Sequence, residues 1–219
     1  MINTMIFDLD GLLIDSEKIS YRLYRALLEI YGHRFTVEEY AQNYSGKTGV
    51  GNMTSLIEVF HLPITLEEGL SWVKEREREY MSGGVDLKVG VKELLEYLRI
   101  HGYHMVLATS STKDRAVGVL KAHYIEGFFE EMVFGTDIER GKPNPDIFLK
   151  ACEKAGRLPD ECLVLEDSEA GIQAAYSAHI PVICVPDMKR PGKEYEGMAE
   201  ALFDSLLQVI DYLEERAAD

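Results

Sequence analysis

Apolar positions along the chain fall into two patterns. Short runs such as "TMIFD", "YHMVLAT", "CLVLED" and "IPVICV", with "EEMVFG" between them, show no apolar–polar alternation. Runs of that kind read as strands buried on both faces, which is the habit of a parallel sheet. After Gly84 helical patterns flank each of them, in "VGVKELLEYLRIHG", "TKDRAVGVLKAHY", "NPDIFLKACEKAG", "SEAGIQAAYSAH" and "SLLQVIDYLEERA". Strand and helix in alternation predict an α/β fold with helices on both faces of a doubly wound sheet. In "NPDIFLK", Asn144 is the expected cap and Pro145 falls in the first turn.

One stretch departs from this alternation. From "SEKISYRLYRALLEIYG" to about Gly83 every periodic segment is helical. Ile19, Leu23 and Leu27 share a face, Ser16 is the expected cap, and Gly32 follows as a stop. "TVEEYAQNY" opens with a capping box from Thr36 to Glu39. The expected layout is therefore a core of residues 1–14 and 84–219, split by a helical insertion of residues 15–83. Hinges are expected near Leu13–Asp15 and Ser82–Gly84.

Composition narrows the partners. The 219 residues carry a net charge of -15, so nucleic acid and anionic membranes are expected to be repelled. Any site for an anionic small molecule must then carry its own cations or a metal. Cys152, Cys162 and Cys184 form no CxxC pair, and their odd number fits reduced, buried thiols. With no secretory pattern and no apolar run of membrane length, the expected location is the cytoplasm. The expected assembly is a monomer or weak homodimer.

In open α/β sheets, ligands bind beyond the carboxyl ends of the strands. There the chain places Asp8 and Asp10, then Thr109, Ser110 and Ser111, then Glu166, Asp167 and Ser168. Lys142 sits in the intervening loop "GKPNPD". Each motif alone has a plain reading: a turn, a helix cap, a solvated lysine, an acidic cap. Together they place four carboxylates, a hydroxyl and an amine on one edge. Such carboxylates repel one another unless a divalent cation joins them, and Mg²⁺ suits hard oxygens with phosphate. The parts match phosphoryl transfer, where positioning and charge neutralisation dominate. Asp8 would attack phosphorus, and Asp10 would move protons to the leaving oxygen and from water.

"DLDGLLIDSE", "ATSS", "GKPNPD" and "LEDSEAGIQAA" resemble, in order, the four motifs of the haloacid dehalogenase superfamily. The insertion after the first motif resembles the C1 cap of subfamily I, and "EDSEAGIQAA" resembles the β-phosphoglucomutase-like branch. The resemblance implies a Rossmann-like core and two-step hydrolysis of a phosphate monoester. It implies Asp8 as nucleophile and metal ligand, and Asp10 as acid/base and as a ligand through its backbone carbonyl. It implies Ser110, with the Ser111 amide, as phosphate holder, and Lys142 as the neutralising cation. It implies Asp167 as a Mg²⁺ ligand, with Glu166 supporting the metal directly or through water.

Two departures bear on the reaction. Ser20 stands where the mutases carry a cap histidine, and Gly49 falls near their phosphate-gripping arginine. Both favour a phosphatase acting on a small phosphorylated metabolite, of the sugar or nucleoside phosphate class, over a phosphosugar mutase. A binding module without turnover is the third reading, and the intact Asp10 argues against it. Gly46, Lys47 and Thr48 form either a substrate-facing cap loop or an ordinary helix–helix turn. Lys113 is either a contact to the substrate's far end or a solvated helix residue.

Overall fold

The computed structural model describes residues 2–82 and 84–218. Its contacts divide the chain into two compact units, one of residues 1–15 with 87–219 and one of residues 16–86. The expected hinge position Gly83 lies outside the described residues.

The larger unit is built on six strands: β1 (Thr4–Phe7), β2 (His104–Thr109), β3 (Glu131–Phe134), β4 (Cys162–Glu166), β5 (Val182–Cys184) and β6 (Ala201–Leu202). They pair in the order β3-β2-β1-β4-β5-β6, all parallel. β1 is thus central, with Thr4 opposite His104 on one side and Cys162 on the other. The first five strands match the apolar runs. The two-residue β6 is too short to leave a pattern in the sequence.

Four helices make the smaller unit: α1 (Ser16–Ile30), α2 (Val37–Asn43), α3 (Gly49–Phe60) and α4 (Leu66–Ser82). The larger unit carries α5 (Val91–Ile100), α6 (Lys113–Ala122), α7 (Asp146–Ala155), α8 (Glu169–Ser177), α9 (Lys193–Glu196) and α10 (Leu207–Ala218). α7 packs on β1, β2 and β3, while α8 packs on β4 and β5. Ile147, Phe148, Ala151, Ile172 and Ala175 from these helices meet Ile6, Val106, Val133, Val164 and Val182 from the strands in one buried cluster. Met5, Phe7, Leu107 and Leu165, offset by one position in the strands, are equally buried. Burial on both parities is what uninterrupted apolar runs require. α5 packs on β2 and α10 on α5.

The ends of the helical insertion are joined within the larger unit. Ile14 bridges antiparallel to Leu87, and Lys88 N–H donates to the Leu13 carbonyl at 3.0 Å. In the helical unit the capping box forms as expected: Thr36 Oγ1 accepts from Glu39 N–H, and Glu39 Oε2 accepts from Thr36 N–H. Two expected caps differ. α1 already includes Ser16, which is buried, so the serine is part of the helix it was expected to cap. α7 begins at Asp146 after Pro145, and no side chain caps it; Asn144 Nδ2 instead donates to the Gly141 carbonyl at 3.0 Å and closes the preceding turn. Among the described residues no helix is long and apolar enough to cross a membrane.

Candidate active site

The strand register brings the site together. Phe7 is level with Leu165, so the next residues, Asp8 and Glu166, lie side by side at the ends of two central strands. Asp8 N–H donates to the Leu165 carbonyl at 3.1 Å, which holds its backbone in the sheet's extension. Lys142, from the loop before α7, reaches both carboxylates. Its Nζ lies 2.5 Å from Asp8 Oδ1 and also pairs with Glu166 Oε1. The ring of Phe148 lies beneath the ammonium, 5.0 Å to the ring centre. All three charged side chains are buried.

Two carboxylates and one ammonium leave an excess of negative charge in a dry place. The Asp8 carboxyl is pushed up to about 7 from its ordinary 3.8. Burial raises it most, Lys142 draws it back, and Glu166 and Asp10 raise it further. For Lys142, burial works to lower the pKa, but Asp8 and Glu166 outweigh it and the net shift is upward. Lys142 is therefore a fixed cation, while Asp8 titrates near neutrality in this arrangement.

Glu166 has no exposure, and both of its oxygens are engaged. Oε1 takes Lys142; Oε2 accepts from Asp167 N–H at 3.0 Å, Ser168 N–H at 3.1 Å and the Ser168 hydroxyl at 3.0 Å. A β-carbon on Gly171 would overlap this carboxylate, so α8 packs its first turn directly onto it. Ser168 in turn caps α8, its Oγ accepting from Gly171 N–H at 3.1 Å. These bonds leave the expected support of a metal by Glu166, directly or through water, to the proposal below. In the structure Glu166 anchors Lys142 and the loop that carries Asp167.

Gly11 has φ +84, and a β-carbon there would overlap the Asp167 carboxylate. The Asp10–Gly11 turn thus lies against Asp167, at a spacing only glycine allows. Among the described residues no three His, Cys, Asp or Glu side chains converge as a ready cation cage. Mg²⁺ does not require one, because it binds through one or two carboxylates and keeps several waters. The carboxylates of Asp8 and Asp167, the latter against the Asp10–Gly11 turn, and the Asp10 carbonyl are the oxygens that could hold it. Burial and its acidic neighbours disfavour the Asp8 carboxylate, and a cation would favour it.

Around the second motif the contacts are as follows. Thr109 ends β2 fully buried, and its Oγ1 accepts from Ser111 N–H, the amide expected to help hold phosphate, at 3.0 Å. Ser110 is exposed, with its backbone pressed against Gly135. Ser111 Oγ donates to Asp10 Oδ2 at 2.7 Å. Arg115, which the motifs do not single out, forms a two-pronged pair with the same aspartate: Nη2 to Oδ1 at 2.7 Å and Nη1 to Oδ2 at 2.8 Å. The signal in the sequence was slight, a serine and an arginine four residues apart at the entrance to a helix.

Of the remaining candidates, Lys113 is exposed at the start of α6. Gly46, Lys47 and Thr48 belong to the helical unit, in the turn between α2 and α3. Thr48 has a local purpose there: it caps α3, its Oγ1 accepting from Gly51 N–H at 3.2 Å.

Residues 5–185 match the family model of the haloacid dehalogenase-like hydrolases. The chain belongs to that family. It is 32% identical over 179 residues to the phosphorylated carbohydrates phosphatase of Thermotoga maritima, covering 82% of each chain. It is 34% identical to a Drosophila melanogaster protein named as a probable pseudouridine-5'-phosphatase, over 83% of this chain and 80% of that one. The solved β-phosphoglucomutase of Clostridium difficile shares the fold, with a TM-score of 0.78 at 24% identity over 98% of this chain and 96% of that one. The chain is a hydrolase of the phosphatase class on a Rossmann-like parallel sheet, with β-phosphoglucomutase-like structural neighbours.

Proposed function

We propose that this protein is a Mg²⁺-dependent phosphatase that hydrolyses a small phosphate monoester, of the sugar phosphate or nucleoside phosphate class, through an aspartyl-phosphate on Asp8. The observation that carries this reading is the buried Asp8 at the end of the central strand, bonded to Lys142 and followed two residues later by Asp10. Asp8 Oδ attacks phosphorus, and the bond to the leaving oxygen breaks. Asp10 gives that oxygen its proton. Water then attacks the phosphorus of the aspartyl-phosphate, Asp10 takes its proton, and the bond to Asp8 breaks to release phosphate. Lys142 offsets charge on Asp8 and on the phosphoryl group throughout. Asp8, Asp167 and the Asp10 carbonyl would hold Mg²⁺, with Glu166 supporting it directly or through water; when bound it neutralises phosphoryl charge. Ser110, with the Ser111 amide, would hold the phosphoryl oxygens, and Lys113, Gly46, Lys47 and Thr48 are candidates for contacts to the rest of the substrate.

The test is phosphate release from p-nitrophenyl phosphate and from a panel of sugar and nucleoside phosphates, with Mg²⁺ and with chelator. Turnover is expected only with the cation, and Asp8→Asn and Asp10→Asn are each expected to remove it. Full activity in either variant would overturn the mechanism. Interconversion of phosphosugar isomers without net phosphate release would replace the phosphatase by a mutase. The relative named for phosphorylated carbohydrates supports the sugar phosphate class, and the relative named for pseudouridine-5'-phosphate supports the nucleoside phosphate class.

A further inference from the structure

We propose that Arg115 is a positioning residue for Asp10, fixing the plane of its carboxylate for proton transfer. The proposal rests on the reading of Asp10 as the acid/base. Asp10 sits in a turn, with its side chain 31% exposed rather than buried in a core. Arg115 and Ser111 restrain it. The guanidinium meets both carboxylate oxygens, at 2.7 and 2.8 Å, and the Ser111 hydroxyl adds a third bond at 2.7 Å. Arg115 Nη1 also lies 2.5 Å from Ser111 Oγ, which closes the three groups into one hydrogen-bonded network. Arg115 itself is fixed at the third position of α6, whose buried Ala116, Val119 and Leu120 seat the helix on the core.

A stabilising role is a weak account of this pair. Arg115 is 24% exposed and Asp10 31%, so the pair adds a modest amount to stability, about 1 kcal/mol. What a planar two-pronged contact supplies is orientation, because the fork admits one plane and one approach. Lysine would keep the charge and lose the fork. A group that transfers a proton to a leaving oxygen needs that orientation, since misplacement by about 1 Å can cost up to about a hundredfold in rate.

The test compares kcat/KM for an alkyl phosphate such as glycerol phosphate with that for p-nitrophenyl phosphate, whose leaving group departs with little help from an acid. Both are measured with Mg²⁺ in the wild type and in Arg115→Ala, Arg115→Lys and Asp10→Asn. Arg115→Ala is expected to keep its melting temperature and to lose about tenfold or more on the alkyl phosphate. On p-nitrophenyl phosphate it should stay within about threefold, and Arg115→Lys should recover part of the loss. An equal loss on both substrates would mean that Arg115 holds the phosphoryl group or the fold, and would overturn the proposal. So would a gain in activity, which would make the contact a latch. If Asp10→Asn is inactive on the alkyl phosphate while Arg115→Ala matches wild type, the proposal fails and the acid/base reading stands. If Asp10→Asn is itself fully active, the reading beneath it fails instead.

Discussion

Replacing Asp8 by asparagine is expected to remove activity and stabilise the fold. The Asp8 carboxyl is raised from 3.8 to about 7, chiefly by burial and against the pull of Lys142. Each unit of that difference corresponds to about 1.4 kcal/mol, so ionising this group in the folded, metal-free protein costs about 4 kcal/mol. Asparagine has no such cost. The charged bond to Lys142 that asparagine gives up is already contained in the raised value, since Lys142 pulls the carboxyl down. The expected net gain above pH 7 is therefore about 4 kcal/mol. Its pH dependence has a definite sign. Below 3.8 the carboxyl is protonated in both folded and unfolded chains, and its contribution is flat. Between 3.8 and about 7 the unfolded chain has released the proton that the folded chain keeps, so wild-type stability falls as pH rises. Above that the contribution is flat again. Urea unfolding of both proteins by far-UV circular dichroism, at pH 5 and pH 8 in chelator, measures the difference. Asp8→Asn should gain on wild type between the two pH values. A difference that stays constant, or a variant less stable at pH 8, would refute the electrostatic account of the site.

Three further outcomes follow from the same contacts. Lys142→Met should leave the buried Asp8 and Glu166 without their shared cation and cost about 3–5 kcal/mol in urea unfolding, the usual loss when one partner of a buried pair is removed. Gly171→Ala should cost about 1–3 kcal/mol by pushing α8 off the Glu166 carboxylate, whereas Gly118→Ala, in α6 with open space around it, should gain up to about 1 kcal/mol; paired thermal melts compare the two. Ser168→Ala removes the cap of α8 and one of Glu166's donors and should lower stability by about 1–2 kcal/mol in the same melts.

What the sequence disclosed followed the range over which its causes act. The box from Thr36 to Glu39 formed because its bonds are closed within one turn. The expected caps at Ser16 and Asn144 failed where the chain's approach to the helix, not the residue type, set the first turn. The apolar runs disclosed the five longer strands, since burial on both faces leaves its mark on every residue. Asp8, Glu166 and Lys142 could be placed on one edge because strand ends are predictable, and the register then brought them into contact. Arg115 could not be found this way. It pairs with a residue 105 positions earlier, and nothing in "TKDRAVGVL" distinguishes it from a solvated helix arginine. The sequence placed Glu166 beside the other acidic groups but does not reveal the four donors that surround it.

The central place of β1 also has a consequence for how the chain is made. Thr4 to Phe7 leave the ribosome well before their neighbours on the two sides, which begin at His104 and Cys162. An apolar segment, with Met5, Ile6 and Phe7 all destined for complete burial, must therefore wait until both of those strands have been synthesised. Pairings this distant in sequence are slow to close, and strands awaiting them are prone to aggregate. The strand that carries Asp8 is thus a liability of the nascent chain, and the helical segment translated next, from Ser16 onward, is complete before that strand has a partner.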